Sequence, residues 1–315
     1  MPRIVVPDDF PPAISGTAAE RALRALGDVI VHTERGADNE AELIRRIRDA
    51  DVVLNIRGYT RFSAAVVAAC DRLRLISIWG TGTDNVDFTA TRARGITVTN
   101  TPGVNAHAVA EHTIALMLAV ARRIPSMDAG VRAGEWPRGL LVQLEGKTLG
   151  VIGLGAIGSR VATLASAFGM TVLASTLGED GGRSRSVGAR HVPLEVLLRE
   201  SDFVSLHLRL SDKTTRHLDR DRLALMKPSA FLINTARAGL VDREALFEAL
   251  RESRIAGAGL DVFHEEPIRP NDPLLGLTNV VLTPHNAGST AEVIDRGLQQ
   301  AVENISAFLS AAPSS

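Results

Sequence analysis

The sequence predicts an α/β protein built on two doubly wound parallel sheets, on three observations. Short β-branched runs alternate with amphipathic stretches through the first hundred residues. A long helix, apolar on nearly every side, then interrupts the pattern. From Thr148 the alternation restarts and continues almost to the end of the 315-residue chain. Strands alternating with helices of these lengths imply parallel sheets covered on both faces.

In order, the first runs are Ile4-Val-Val, Val29-Ile-Val, Asp51-Val-Val-Leu, Leu75-Ile-Ser-Ile and Ile96-Thr-Val, with helical stretches such as Ala18 to Leu26 and Ala41 to Ile47 between them. The segment His107 to Arg123 carries Val109, Ile114, Leu116, Met117, Leu118 and Val120, so its helix must be buried all round, in a core or against a second subunit. The second series is Leu149-Gly-Val-Ile, Val172-Leu-Ala, Phe203-Val-Ser-Leu, Phe231-Leu-Ile, Gly257-Ala-Gly-Leu and Val280-Val-Leu. Helices are expected at Ile157 to Phe168, Leu194 to Leu198 and Arg243 to Leu250. A capping box, Ser289-Thr-Ala-Glu292, is expected to open the final helix, whose face is Ile294, Leu298, Ala301, Val302, Ile305 and Leu309.

Composition narrows the function. Hydrophobic residues make up 45% of the chain, enough for a core in each of two domains. A formal net charge of -1 provides no basic field for a phosphate backbone, so nucleic acid is not an expected partner. Cys70 is the only cysteine, which excludes an intrachain disulfide and a cysteine-based metal cluster and points to the cytoplasm. The longest apolar run, about residues 114–121, falls far short of the roughly 20 residues of a membrane span, and neither targeting nor anchoring is expected.

The strand Leu149 to Ile152 runs directly into Gly153-Leu-Gly155-Ala156-Ile157-Gly158 and then a helix. In that setting the glycines read as a dinucleotide-binding turn. Gly153 makes the tight turn, Gly155 lets the backbone approach a pyrophosphate, and Gly158 allows the helix to pack on the sheet, its positive end facing the anion. A cofactor with a free ribose 2′-hydroxyl calls for Asp or Glu at the end of the next strand. Ser175-Thr176 stands there instead, while Arg183, Arg185 and Arg209 could reach a 2′-phosphate if the loop folds inward. NAD and NADP both remain open, with a lean to NADPH.

Three charged residues follow apolar strands downstream: Arg237 in Asn234-Thr-Ala-Arg, Glu266 before Pro267, and His285 in Thr-Pro-His. Ligands of open α/β sheets bind beyond the carboxyl ends of the strands, where these side chains could converge. Reduction of a keto acid needs a cation for the carboxylate and carbonyl, which suits Arg237. It also needs a proton donor active near neutrality, which suits His285, and a carboxylate beside the imidazole, Glu266, favours its protonated form.

With these residues in place, the chain resembles the D-isomer-specific 2-hydroxyacid dehydrogenase family, which includes phosphoglycerate dehydrogenases and glyoxylate/hydroxypyruvate reductases. The matching stretches span nearly the whole chain: Gly80-Thr-Gly-Thr-Asp-Asn-Val-Asp87, Asn100-Thr-Pro-Gly, Val109-Ala-Glu111, Gly153 to Gly158, Ser201-Asp-Phe-Val-Ser-Leu-His207, Asn234-Thr-Ala-Arg237, Gly259-Leu-Asp-Val-Phe and Thr283-Pro-His285. The resemblance implies that Arg237 binds substrate, that His285 is the general acid-base and that Glu266 raises its pKa. It implies that Asp261 lies near the nicotinamide, that His207, Arg209, Thr235 and Ala236 border the cofactor, and that Arg57 with the backbone at Thr81-Gly82 helps hold the substrate. It further implies a Rossmann cofactor domain, residues 100–285, inserted in a discontinuous flavodoxin-like substrate domain, residues 1–99 plus 286–315, and a homodimer formed through the cofactor domains. Ser175 departs from the acid usual in NAD-using members, and Arg209 stands where many have proline. With no regulatory domain expected after Ser315, a long allosteric phosphoglycerate dehydrogenase is disfavoured. Two alternatives keep the fold: a dehydrogenase of another small anion, such as formate or phosphite, and a nucleotide-sensing co-repressor that binds peptides. Retention of Glu266 with His285 argues against formate. Substrate size is left to loops near Arg57, Tyr59, Trp79 and Trp136.

Overall fold

The computed structural model describes residues 1–311; residues 312–315, the end of the expected substrate domain, lie outside it. The chain divides into two units, residues 1–105 with 289–315 and residues 106–288.

Unit 1 alternates throughout: β1 (Arg3–Val6), α1 (Ala18–Leu26), β2 (Asp28–Val31), α2 (Glu40–Ile47), β3 (Val52–Asn55), α3 (Ala64–Ala68), β4 (Leu75–Ile78), α4 (Phe88–Ala93) and β5 (Thr97–Asn100). Each helix begins on a side chain suited to its free N–H groups: Thr17, Asn39, Ser63 and Asp87 accept from the third residue on. The five strands form a parallel sheet in the order β2-β1-β3-β4-β5, the flavodoxin-like arrangement. Because side chains alternate across a strand, β1 sends Ile4 and Val6 to one face and Val5 to the other. On the Val5 face lie Leu43, Ile47, Val66, Val67 and a fully buried Cys70.

Unit 2 opens with α5 (Ala106–Ala121) and α6 (Ile124–Arg132). It then alternates β6 (Thr148–Ile152), α7 (Ala156–Ala167), β7 (Thr171–Ser175), α8 (Arg183–Ser186), β8 (Arg190–His191), α9 (Leu194–Glu200), β9 (Phe203–Leu206), α10 (Arg220–Leu223), β10 (Phe231–Asn234), α11 (Arg243–Arg251), β11 (Gly257–Leu260) and β12 (Val280–Leu282). The parallel sheet runs β12-β11-β10-β9-β6-β7-β8, so the order reverses beside β6, as in a Rossmann fold. The chain then returns to unit 1 as α12 (Ala291–Ala311), whose Leu298, Ala301 and Ile305 cover the Ile4 face.

The expected buried helix is α5, which packs on α7, β10, β11 and β12 through Ile114, Leu116 and Met117; only a narrow stripe, His107, Glu111 and Ala115, is exposed. Each such fully buried aliphatic side chain contributes about 1.5–3 kcal/mol. Two expectations need correction. The seventh strand, β8, has only two exposed residues and gives no apolar signal. The start of α12 is capped by Thr290, which accepts from the Val293 N–H through Oγ1, rather than by Ser289.

Candidate active site

The seven parallel strands of unit 2 end along one edge of its sheet, and the residues leaving six of them build the site. At β6, Gly153 has φ +99 and donates its N–H to the Ser175 carbonyl at 2.8 Å. A Cβ there would sit 2.7 Å from the His207 carbonyl oxygen, and one at Gly158 would sit 2.0 Å from that of Gly153. Both glycines are therefore demanded by the protein's own backbone. Gly155 is different: a Cβ would meet nothing within 4 Å, and no side chain caps α7, which begins at the next residue. The helix thus offers the N–H groups of Ala156, Ile157 and Gly158, with its positive dipole end, to open space, which fits a pyrophosphate.

Around this turn stand His207, Thr235 and Ala236. His207 follows β9; its N–H bonds the Ile152 carbonyl at 2.8 Å and its Nε2 meets Ser205 Oγ at 2.8 Å. Desolvation pushes its pKa down to about 3, so the ring is neutral. Thr235 shares a 2.9 Å hydroxyl contact with Thr113 of α5, and the Ala236 N–H bonds Asn234 Oδ1 at 3.0 Å.

At the end of β7, Ser175 is buried and Thr176 donates to the Gly178 carbonyl at 2.7 Å, with His191 Nε2 at 3.3 Å. The loop beyond turns on itself. Asp180 accepts from the Gly182 and Ser184 N–H groups and the Ser184 hydroxyl, and Ser184 holds its carboxyl below the usual range. Arg183 spends its guanidinium on the carbonyls of Glu179 and Asp180. Local acceptors thus hold the Arg183 guanidinium within its own turn. Arg185 lines an open hollow with Ser184 and His191, and Arg209 is exposed.

Arg237 leaves β10 in extended conformation (φ -148, ψ 138). Asn234 shapes this exit, donating Nδ2 to the Arg237 carbonyl at 2.9 Å, and the Arg237 guanidinium donates to the Ala236 carbonyl at 2.8 Å. Glu266 and His285, 19 residues apart, meet: His285 Nδ1 lies 2.7 Å from Glu266 Oε2, while Oε1 accepts the Phe263 N–H at 3.0 Å. Burial pushes the Glu266 carboxyl up, but the His285 hydrogen bond and charge, the Phe263 N–H and the charge of Arg237 outweigh it and hold Glu266 below the ordinary carboxylate range. The carboxylate is thus ionised at neutral pH.

His285 is itself left-handed, at φ +53. Asp261, wholly buried after β11, takes the Thr283 hydroxyl at 2.6 Å and the N–H groups of Asn286 and Ala287 at 3.1 and 3.0 Å. Thr283 in turn meets His112 Nε2 at 2.9 Å. Sequence reasoning singled out Asp261 but missed His112 and Thr283; the threonine two residues before His285, at a strand end, was the available signal.

In unit 1, Arg57 follows β3, donates to the Pro11 carbonyl and lies 4.0 Å from the buried Asp9. Thr81 and Gly82 follow β4 half-buried, and Thr81 Oγ1 accepts the Gly103 N–H at 3.3 Å. Tyr59 donates to Asp8 at 2.9 Å, and Trp79 packs on Gly297 of α12. Trp136 in unit 2 is 74% exposed. No helix among the described residues is long and apolar enough to cross a membrane.

A Rossmann sheet whose glycine turn opens a bare helix terminus, beside an arginine and a histidine hydrogen-bonded to a carboxylate at the same strand ends, defines a dinucleotide-dependent oxidoreductase. Residues 114–287 match the family model described as D-isomer specific 2-hydroxyacid dehydrogenase, NAD binding domain. The chain belongs to this family and is an NAD(P)-dependent 2-hydroxyacid dehydrogenase. It is 44% identical over 275 residues to a glyoxylate reductase of Aeropyrum pernix, covering 84% of this chain and 82% of that one. It is 43% identical over 277 residues to a D-3-phosphoglycerate dehydrogenase of Methanocaldococcus jannaschii, covering 87% of this chain but only 52% of that one. Among solved structures, the TT0316 protein of Thermus thermophilus superposes with TM-score 0.88 at 40% identity, covering 98% of this chain and 97% of that one. An acyclic imino acid reductase in complex with NADPH and D-Arg has TM-score 0.87 at 32% identity, covering 98% and 97%.

Proposed function

We propose that this dehydrogenase reversibly reduces a 2-keto acid to the D-2-hydroxy acid by hydride transfer from NAD(P)H. Arg237 binds the substrate carboxylate and polarises the carbonyl; His285 delivers the proton to the carbonyl oxygen and removes it in the reverse direction. The observation that carries this reading is the 2.7 Å contact of His285 Nδ1 with an ionised Glu266. It commits Nδ1–H to the carboxylate and leaves Nε2 as the atom that gives and takes the proton. Gly153 to Gly158, with Ser175, Thr176, His207, Arg209, Thr235, Ala236 and Asp261, would hold the cofactor; when bound, its nicotinamide supplies the hydride. Arg57 and the backbone at Thr81-Gly82 are assigned to the substrate's remaining oxygens.

For the cofactor, either NADH or NADPH serves, with a lean to NADPH. The absence of a carboxylate at Ser175-Thr176 supports this, as does the NADPH carried by the similar imino acid reductase. For assembly, a homodimer through unit 2 is supported by its exposed apolar residues, Ile124, Val131, Trp136 and Leu140.

The test is oxidation of NADH and of NADPH against a panel of 2-keto acids from glyoxylate upward. His285→Ala is expected to lower kcat/KM by about 10²–10⁴-fold, the usual worth of a general acid, with cofactor affinity retained. Near-normal turnover in that variant, or silence of the wild type across the panel, would overturn the reading.

A further inference from the structure

We infer that His112 is a positioning residue for the acid-base pair: through the Thr283 hydroxyl it orients the Asp261 carboxylate that clasps the turn carrying His285. The inference rests on the proposed role of His285.

A non-glycine residue in the left-handed region persists only where its surroundings over-determine it. His285 has φ +53; its own N–H bonds the Thr283 carbonyl at 3.0 Å, and the two N–H groups that follow are both captured by Asp261. Asp261 is wholly buried, so water cannot set its orientation. Its carboxylate is fixed by its donors alone, and the shortest of these contacts is the Thr283 hydroxyl at 2.6 Å. A hydroxyl has one hydrogen. Given to Asp261, it leaves Thr283 Oγ1 only as an acceptor toward His112, so Nε2 of His112 carries a proton and donates at 2.9 Å. The same Nε2 stands 3.6 Å from Asp261 Oδ1, on the side where its hydrogen adds to the field that holds the carboxylate.

The chain of contacts therefore begins on α5, the helix packed against β10, β11 and β12, and ends on the turn that aims the imidazole at Glu266. His112 acts on Thr283 and Asp261, which hold the turn of His285, so its effect falls on the chemical step. Loss of the Nε2 donor frees the Thr283 hydroxyl to rotate, loosens Asp261 and lets the His285 turn relax.

The experiment uses the full chain with glyoxylate as the test keto acid. His112→Leu and Thr283→Val remove the contact; His112→Gln keeps an N–H donor in the place of Nε2, and Thr283→Ser keeps the hydroxyl. The first pair is expected to lower kcat by about tenfold to a hundredfold, the range that small misplacements of catalytic groups produce, with the keto-acid KM and cofactor Kd changed by less than about twofold. The second pair is expected to restore most of the loss. Independently of turnover, the imidazole proton between His285 and Glu266, assigned by its disappearance in Glu266→Gln, is expected as a downfield proton resonance that broadens in His112→Leu and returns in His112→Gln. Wild-type kcat with an unchanged resonance in His112→Leu overturns the proposal. So does equal impairment in His112→Leu and His112→Gln, which would make the ring's volume the requirement. If His285→Ala turns over normally, the acid-base reading fails instead, and the resonance alone still reports on the clasp.

Discussion

Gly155 and Gly158 stand three residues apart in one turn and answer to different constraints. At Gly158 a methyl group would enter the Gly153 carbonyl, so Gly158→Ala is expected to destabilise the fold by about 1–3 kcal/mol, read as a lowered Tm. At Gly155, with φ -81 and open space before it, alanine fits the protein. Gly155→Ala is therefore expected to melt like the wild type yet bind NADH and NADPH at least about tenfold more weakly in a fluorescence titration, since the Cβ would occupy the place of the pyrophosphate. Unchanged affinity would show that no anion approaches that backbone. The residue types here were legible because the glycine spacing sits between a strand and a helix. The 2.7 Å meeting of Glu266 with His285 was not, since identity and order along the chain carry no distance. His112 was hidden more thoroughly: on a mostly apolar helix, a histidine reads as packing until the hydroxyl facing it is known.

Elements differ in how openly they announce themselves. The inner strands are apolar because both faces of a parallel sheet are covered, and they stand out; β8 has two exposed residues and no pattern to find. Arg183 had the right charge for a phosphate, but a turn that offers carbonyls within its own reach decides where a guanidinium goes. The exit of β9 supports a prediction about pH. His207, lowered from 6.5 to about 3 by burial, refuses a proton that the unfolded chain binds. Between those values the unfolded state holds more protons, so this residue's contribution favours folding fully above pH 6.5 and declines as pH falls toward 3. His207→Gln, able to keep a hydrogen bond with Ser205 but unable to titrate, is expected to lose less stability than the wild type between neutrality and pH 4 in denaturant titrations. Parallel pH curves for the two proteins would refute this.

At the scale of the whole molecule, a net charge of -1 spread over 315 residues gives little long-range repulsion between copies. Unit 2 exposes Leu140 completely and Trp136 by 74%. Leu140→Asp with Trp136→Asp is expected to convert dimers to monomers in sedimentation, with the melting of the isolated subunit little changed; a monomeric wild type would end that proposal. The division into two sheets was legible because the strand–helix rhythm stops at α5 and restarts at β6. The exposed apolar residues of unit 2 were less so, since exposed apolar residues look the same in sequence as buried ones.

The single thiol of the chain belongs to unit 1, where burial pushes Cys70 up to about 11. Such a thiol is protonated and sealed, so alkylating reagents are expected to leave the native enzyme unlabelled and fully active. Labelling then proceeds only when the sheet of unit 1 opens, at a rate set by that opening. Because unit 2 has no cysteine, the molecule carries a built-in clock for one of its two halves, and adding cofactor would reveal whether occupancy of one half steadies the other.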